Sequence, residues 1–223
     1  MPIQTNYSGI YAQQLTSSEA SFANEVNQHL DAINSKASGS QLLEQISRLS
    51  SRRGHKLTIH ELEASGHPIT EPVLSRSQLE NHPNATSYRD IRETAGHRYA
   101  LKKRFGSNEG SSAVISWAPR VSKIDVDSDG DATGHSQSST DKVSTLAHEL
   151  VHAKHIMGGT WKGSYDNPRD PDTNAGKEEL RAVGLGKYKY SRSREPSENS
   201  VREEHGLPKR KSYHHSGYHS DSD

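Results

Sequence analysis

Residues 143–159 read VSTLAHELVHAKHIMGG. From Val143 to Met157 there is neither glycine nor proline, Thr140 or Asp141 can cap the start, and Gly158 and Gly159 end the run, so the pattern predicts a helix of about four turns. At about 100° per residue, Val143, Ala147, Leu150 and Val151 share one side, while His148 and His152 lie roughly opposite, one turn apart. Two imidazoles so spaced on a non-core face can converge on one tetrahedral ion. Glu149, about a hundred degrees round the helix, can reach a water bound to that ion. The reading that decides the fold is therefore an HExxH helix.

Context separates this motif from coincidence in a chain that carries 14 histidines. It falls on a capped, amphipathic stretch with both imidazoles on the polar side, as coordination requires. His60 and Glu61 begin a second similar spelling, but inside a predicted strand and with Ala64 where the second ligand should stand, so they make no site. His155 lies near the same face as the pair. It sits about 10 Å along the axis from His148, and one ion about 2 Å from each nitrogen cannot span that, so His155 is assigned to packing or to supporting a ligand. Gly158 occupies the place of a metzincin third histidine, so the third ligand must come from elsewhere.

KEELRAVGL (177–185) offers it. On a helix Glu179 shares a face with Ala182 and Val183, while Glu178 faces Arg181. An inward carboxylate is costly to bury without a metal or an arginine. A surface helix with a Glu-Arg pair is the plain alternative, and the upstream motif tips the choice to Glu179 as ligand. Glu178, Asp166 and Asp172 are the fallback carboxylates.

The bulk composition narrows the chemistry. The 223 residues suit one domain with loose ends, and only 29% are hydrophobic, so a compact core does not extend over the whole length. Lys+Arg and Asp+Glu are both 28, which leaves no net field to recruit nucleic acid or an anionic membrane. Absence of cysteine excludes disulfides and thiolate ligands and leaves a metal to His, Asp and Glu. No run approaches the roughly 18 apolar residues of a membrane span, and the first twenty residues lack the blocks of a signal peptide.

Around the helix the chain reads as follows. Residues 1–20 are polar and form a flexible leader or secretion signal, 21–213 one domain, and 214–223 a histidine-rich tail. Phe22, Val26, Leu30 and Ile33 define one amphipathic helix, and Leu42, Leu43, Ile46 and Leu49 a second after a break at Gly39. KLTIHELEA (56–64) alternates as a strand. SSAVISWAP (111–119) is a short apolar run whose closing proline suits a sheet edge, and so a strand along which a peptide could lie. SKIDVDSDGDATG (122–134) reads as a hairpin or as a strand and loop. Asp125, Asp127, Asp129 and Gly130 imitate a calcium loop, but Ser136 stands where a bidentate glutamate is needed, so a tight Asp-Gly turn is the better reading. Residues 65–110 resist assignment.

TLAHELVHAKH, GKEELRAVGL and PSENSVREEHGLPKRKSY, in that order, resemble the NleD-like zinc metalloprotease effectors that bacteria deliver by type III secretion, with the HopH and XopG effectors of plant pathogens nearest. More distantly the chain is similar to clostridial neurotoxin light chains, gluzincins with an HELIH helix, a third ligand at the second glutamate of an EEL block, and an Arg-x-x-Tyr pair. The matching positions are His148, Glu149 and His152, then Glu179, then Arg210 and Tyr213. The spacing from helix to Glu179 is shorter here. The resemblance implies an α+β, zincin-like gluzincin fold with a small mixed or antiparallel sheet, one Zn2+ held by His148, His152 and Glu179, and catalytic roles for Glu149, Arg210 and Tyr213. It implies an endopeptidase secreted into the host cytoplasm and acting on host signalling proteins, stress-activated MAP kinases among them. A monomer is expected. The alternatives are a zinc-binding effector that works by binding host proteins and a zinc hydrolase that is not a peptidase.

Overall fold

Five strands form one mixed sheet in the order β1-β2-β3-β5-β4: β1 (Ile3–Gln4), β2 (Ile10–Gln13), β3 (Leu57–Glu61), β4 (Ile69–Val73) and β5 (Ser112–Trp117). The computed structural model describes residues 1–15, 21–62, 67–86, 89–103, 105–119, 124–135, 141, 143–164 and 166–213. The strand pairs β2/β3 and β3/β5 are parallel, and β1/β2 and β4/β5 are antiparallel. Parallel neighbours need crossover connections. Helices α1 (Ser21–Asn34) and α2 (Ala37–Arg53) supply the one from β2 to β3. β4, α3 (Arg76–Glu80) and α4 (Arg89–Ala100) lie within the one from β3 to β5. β6 (Ile124–Val126) and β7 (Ala132–His135) make a separate hairpin, followed by α5 (Ser144–Gly158), α6 (Asn174–Val183), α7 (Tyr190–Ser193) and α8 (Glu198–Glu204).

Several expectations change here. The first thirteen residues, expected as part of a flexible leader, supply two strands. Only Ile10 and Ala12 point into the core, too few to register as a pattern, and the backbone pairing to β3 does the rest. The expected break at Gly39 lies inside α2, where a Cβ would stand 1.9 Å from the Ile33 carbonyl oxygen; glycine lets the end of α1 approach. SSAVISWAP is not an edge: β5 is interior, with Ala113, Ile115 and Trp117 buried, and Pro119 falls beyond the strand. The edges are β1 and β4, and Pro72 of β4 is tolerated because an edge strand need not donate on both sides. The tail 214–223 lies outside the described residues.

α5 is the central element, packed against α2, β4, β5, α6 and α8. Every residue from Ser144 to Met157 is buried, so the polar face is not open to solvent as expected but is covered by other elements. Asp141 fixes the start: its Oδ1 accepts the N–H groups of Val143 and Ser144 at 3.0 and 2.9 Å. Thr140, the other expected cap, lies outside the described residues. Gly159, left-handed at φ 65°, closes the helix. In the β6–β7 hairpin the Oδ1 of Asp127 accepts the N–H groups of Asp129 and Asp131, a side-chain-braced turn. No helix among the described residues is long and apolar enough to cross a membrane.

Candidate metal centre

α5 carries His148 and His152 one turn apart, and α6, started by the Thr173 hydroxyl on the Gly176 N–H, lays Glu179 across them. Three ligand atoms meet. His148 Nε2 is 3.0 Å from His152 Nε2 and 3.1 Å from Glu179 Oε2, which is 3.3 Å from His152 Nε2. Donors about 2.0–2.1 Å from a tetrahedral ion stand about 3.3 Å apart. Two imidazole nitrogens and one carboxylate oxygen at these separations therefore fit one small divalent cation, and among the described residues they are the group able to hold one.

The far nitrogens of both rings face carboxylates. Glu198 Oε2, at the start of α8, accepts from His148 Nδ1 at 3.0 Å, and Glu178 Oε1 lies 3.5 Å from His152 Nδ1. Glu178, expected to face Arg181, is 1% exposed; it bonds His155 Nδ1 at 2.5 Å and accepts the Lys162 N–H. The neighbouring glutamates of the EEL block thus both turn inward, one to the ligand atoms and one behind them. Arg181 does approach Glu178, at 4.0 Å as the i+3 spacing predicts, but bonds Glu195 more closely and donates to the Thr160 carbonyl. His155 is fully buried against Glu178, outside the His148–His152–Glu179 group.

Burial disfavours a charged imidazole, yet hydrogen bonds to the Glu179 and Glu198 carboxylates outweigh it and push His148 up to about 9. His152 is raised too: burial opposes, and the Glu179 and Glu178 carboxylates prevail. Burial would raise the Glu179 carboxyl, but the two imidazoles hold it well below the usual range. A cation among these three atoms would take the place of the protons that their hydrogen bonds share.

These residues line a cleft of about 390 Å³ whose other walls are Pro68–Pro72 on the β4 side, His97, Trp161 and Tyr213. Glu149 lines it beside the ligands, with Oε2 accepting from the Thr70 hydroxyl at 2.6 Å. Tyr213 stacks on His148 with ring centroids 6.1 Å apart. Its phenol is raised above the ordinary value, by burial first and then by Glu179 and Glu149. Arg210 stands apart from the cleft. Its Nη1 donates to Glu198 Oε2 at 2.9 Å, its Nη2 to the Tyr213 carbonyl, and its guanidinium lies 5.5 Å from the Tyr213 ring centre. The structure thus gathers His148, His152, Glu179, Glu149 and Tyr213 on one cavity and sets Arg210 behind them. Glu198 and Thr70 escape sequence reasoning, and Glu178, the fallback carboxylate, stands behind the imidazoles. Glu198 sits one residue after a cap serine, a place that reads as helix-start chemistry, and nothing local marks Thr70.

Fold and site together define a mixed α+β protein with a His-His-Glu group able to hold one metal ion beside a second carboxylate, Glu149. Residues 12–213 match the model of the Peptidase_M91 family, described as "Effector protein", and the chain belongs to that family. No curated protein matches it. Among solved structures it is similar to the catalytic domain of Clostridium botulinum neurotoxin serotype F, with 13% identity over 88% of this chain and 57% of that one and a TM-score of 0.48. The botulinum neurotoxin serotype HA light chain is similar at 14% identity over 82% and 54%, with a TM-score of 0.47. The chain spans about half the length of these neurotoxin chains.

Proposed function

We propose that this effector is a zinc-dependent endopeptidase, with His148, His152 and Glu179 as zinc ligands and Glu149 as general base. The observation that carries the reading is the approach of three ligand atoms to within 3.0–3.3 Å of one another in a cleft that Glu149 also lines. When bound, zinc supplies the Lewis acidity that makes hydroxide available near neutral pH. Glu149 accepts the proton of the attacking water and hands one to the leaving amine. The Tyr213 hydroxyl, kept protonated across the neutral range, donates to the oxyanion of the tetrahedral intermediate, a role typically worth about 3 kcal/mol. Arg210 acts through Glu198 and the Tyr213 carbonyl, holding His148 and the tyrosine in place. The peptide lies along β4, the edge strand that forms one wall of the cleft.

The description of the family as effector proteins supports action in host cells; the likeness of the TLAHELVHAKH and GKEELRAVGL blocks to NleD-like effectors makes type III secretion the route and stress-activated MAP kinases the first candidate targets. The test is zinc content by elemental analysis, with turnover of a proteome-derived peptide pool followed by mass spectrometry. Full-length protein carries one zinc more than a H148A/H152A double variant, whose count gives the background of the terminal histidines. Glu149→Gln keeps that zinc and cleaves nothing, and Glu179→Ala loses it. Zinc content equal in wild type and the double variant would end this reading. Zinc retained by Glu179→Ala would move the third ligand to another carboxylate.

A further inference from the structure

We infer that Thr70, on the edge strand β4, is the positioning residue of the general base, holding one oxygen of Glu149 so that the other faces the reacting water. The inference rests on the endopeptidase reading above. Its basis is the contact from β4 to α5. The Thr70 hydroxyl is 2.6 Å from Glu149 Oε2 and 3.3 Å from the Glu149 carbonyl oxygen. A hydroxyl has one hydrogen, and the nearer, charged carboxylate oxygen takes it, at a length characteristic of an O–H donor on a carboxylate.

A glutamate on a helix keeps rotamer freedom at its carboxylate, and a base that swings loses the alignment that proton transfer needs. Thr70 removes that freedom from one side. It is buried, its β-branched side chain has few rotamers, and it pairs opposite Ile115 as the second residue of β4. The strand itself is held from behind. α4 packs so closely on it that a Cβ at Gly96 would meet the Pro72 carbonyl oxygen and the Val73 backbone at 3.1 Å. Side chains alternate along β4: Thr70 and Pro72 turn inward and are buried, while Ile69 is exposed. The strand proposed to receive the substrate is therefore the strand that fixes the base, and docking and proton transfer share one rigid element.

The test uses full-length, zinc-loaded protein as wild type, Thr70→Val, Thr70→Ser and Glu149→Gln, with the peptide that wild type cuts fastest from the pool. Valine keeps the shape and removes the donor. Thr70→Val lowers kcat about 10- to 100-fold, the range for a misplaced catalytic group, with KM within about twofold. Thr70→Ser returns kcat to within about threefold of wild type, and all four proteins hold equal zinc and melt alike. A crystal structure of zinc-loaded Thr70→Val shows the Glu149 side chain turned away or in two conformers. Wild-type kcat in Thr70→Val, with Glu149→Gln inactive, overturns the role of Thr70 and leaves the endopeptidase standing. Equal loss in the serine and valine variants, or a rise in KM alone, overturns it too, because packing rather than the hydroxyl would then be at work. Wild type that holds zinc yet cuts no peptide overturns both.

Discussion

His148 and His152 owe their spacing to one helix turn, and their orientation to residues far away in the chain. His148 and His152 were legible because a spacing of four is a property of the helix alone, and the inward turn of Glu179 followed from the apolar residues beside it. Glu198 was not legible: it reaches His148 across fifty positions of sequence, and only the docking of α8 on α5 makes that bond. For Glu178 the i+3 arginine is legible, since Arg181 stands 4.0 Å away, but its burial and its bonds to His155 and the Lys162 N–H are not. A carboxylate on the far nitrogen of a ligating imidazole fixes its tautomer and raises its basicity. Glu198→Gln is therefore expected to weaken zinc binding about 10- to 100-fold, measured by competition with a chromogenic chelator. It also leaves Arg202 and Arg210 without the carboxylate they share, so the metal-free variant melts below wild type. Unchanged affinity would mean that Glu198 serves the two arginines and not the metal centre.

At the scale of elements, helices were easier to read than strands, because a helix repeats its pattern over three or four turns and a short strand cannot. α1, α2 and α5 carry buried residues at the expected positions, while β1, β2 and β4 each bury only one or two apolar side chains or none. β4 was hidden by its composition, ITEPV, in which proline argues against a strand until the edge position is known. Gly39 was misread for a related reason: sequence treats glycine as a breaker, but here it admits a neighbour. The two roles can be separated by unfolding in urea. Gly39→Ala places a methyl group where the Ile33 carbonyl stands and is expected to cost about 1–3 kcal/mol, the range for overpacking, by prying α1 from α2. Gly54, at φ 69° after α2 with nothing within 4 Å of a Cβ, pays only for the left-handed backbone, so Gly54→Ala should cost about 1 kcal/mol. Equal losses would show that helix termination, not close approach, sets both positions.

At the scale of the molecule, metal binding, protonation and stability are linked through two buried imidazoles. In the metal-free fold His148 is pushed up to about 9 against an ordinary 6.5, and His152 is raised with it, although burial works against both. A folded value above the unfolded one means that protonation stabilises the fold fully below about pH 6.5 and is lost as pH rises through about 9. The metal-free protein should therefore melt at progressively lower temperature across that window. A ligating imidazole must be neutral, so zinc displaces these protons, and apparent zinc affinity should rise with pH over the same range and level off above it. Bound zinc at a hundred times its dissociation constant adds about 2.7 kcal/mol. At about 2–4 °C per kcal/mol for a chain of this size, that corresponds to roughly 5–10 °C in melting temperature. The gap between metal-free and zinc-loaded melting temperatures should widen from pH 6.5 to 9. Calorimetric titration with zinc at pH 7.5, in buffers of different ionisation enthalpy, should register between one and two protons released per site. A flat metal-free melting curve with no proton release would show that Glu179 faces neutral imidazoles, and protons would then not compete with zinc for this site.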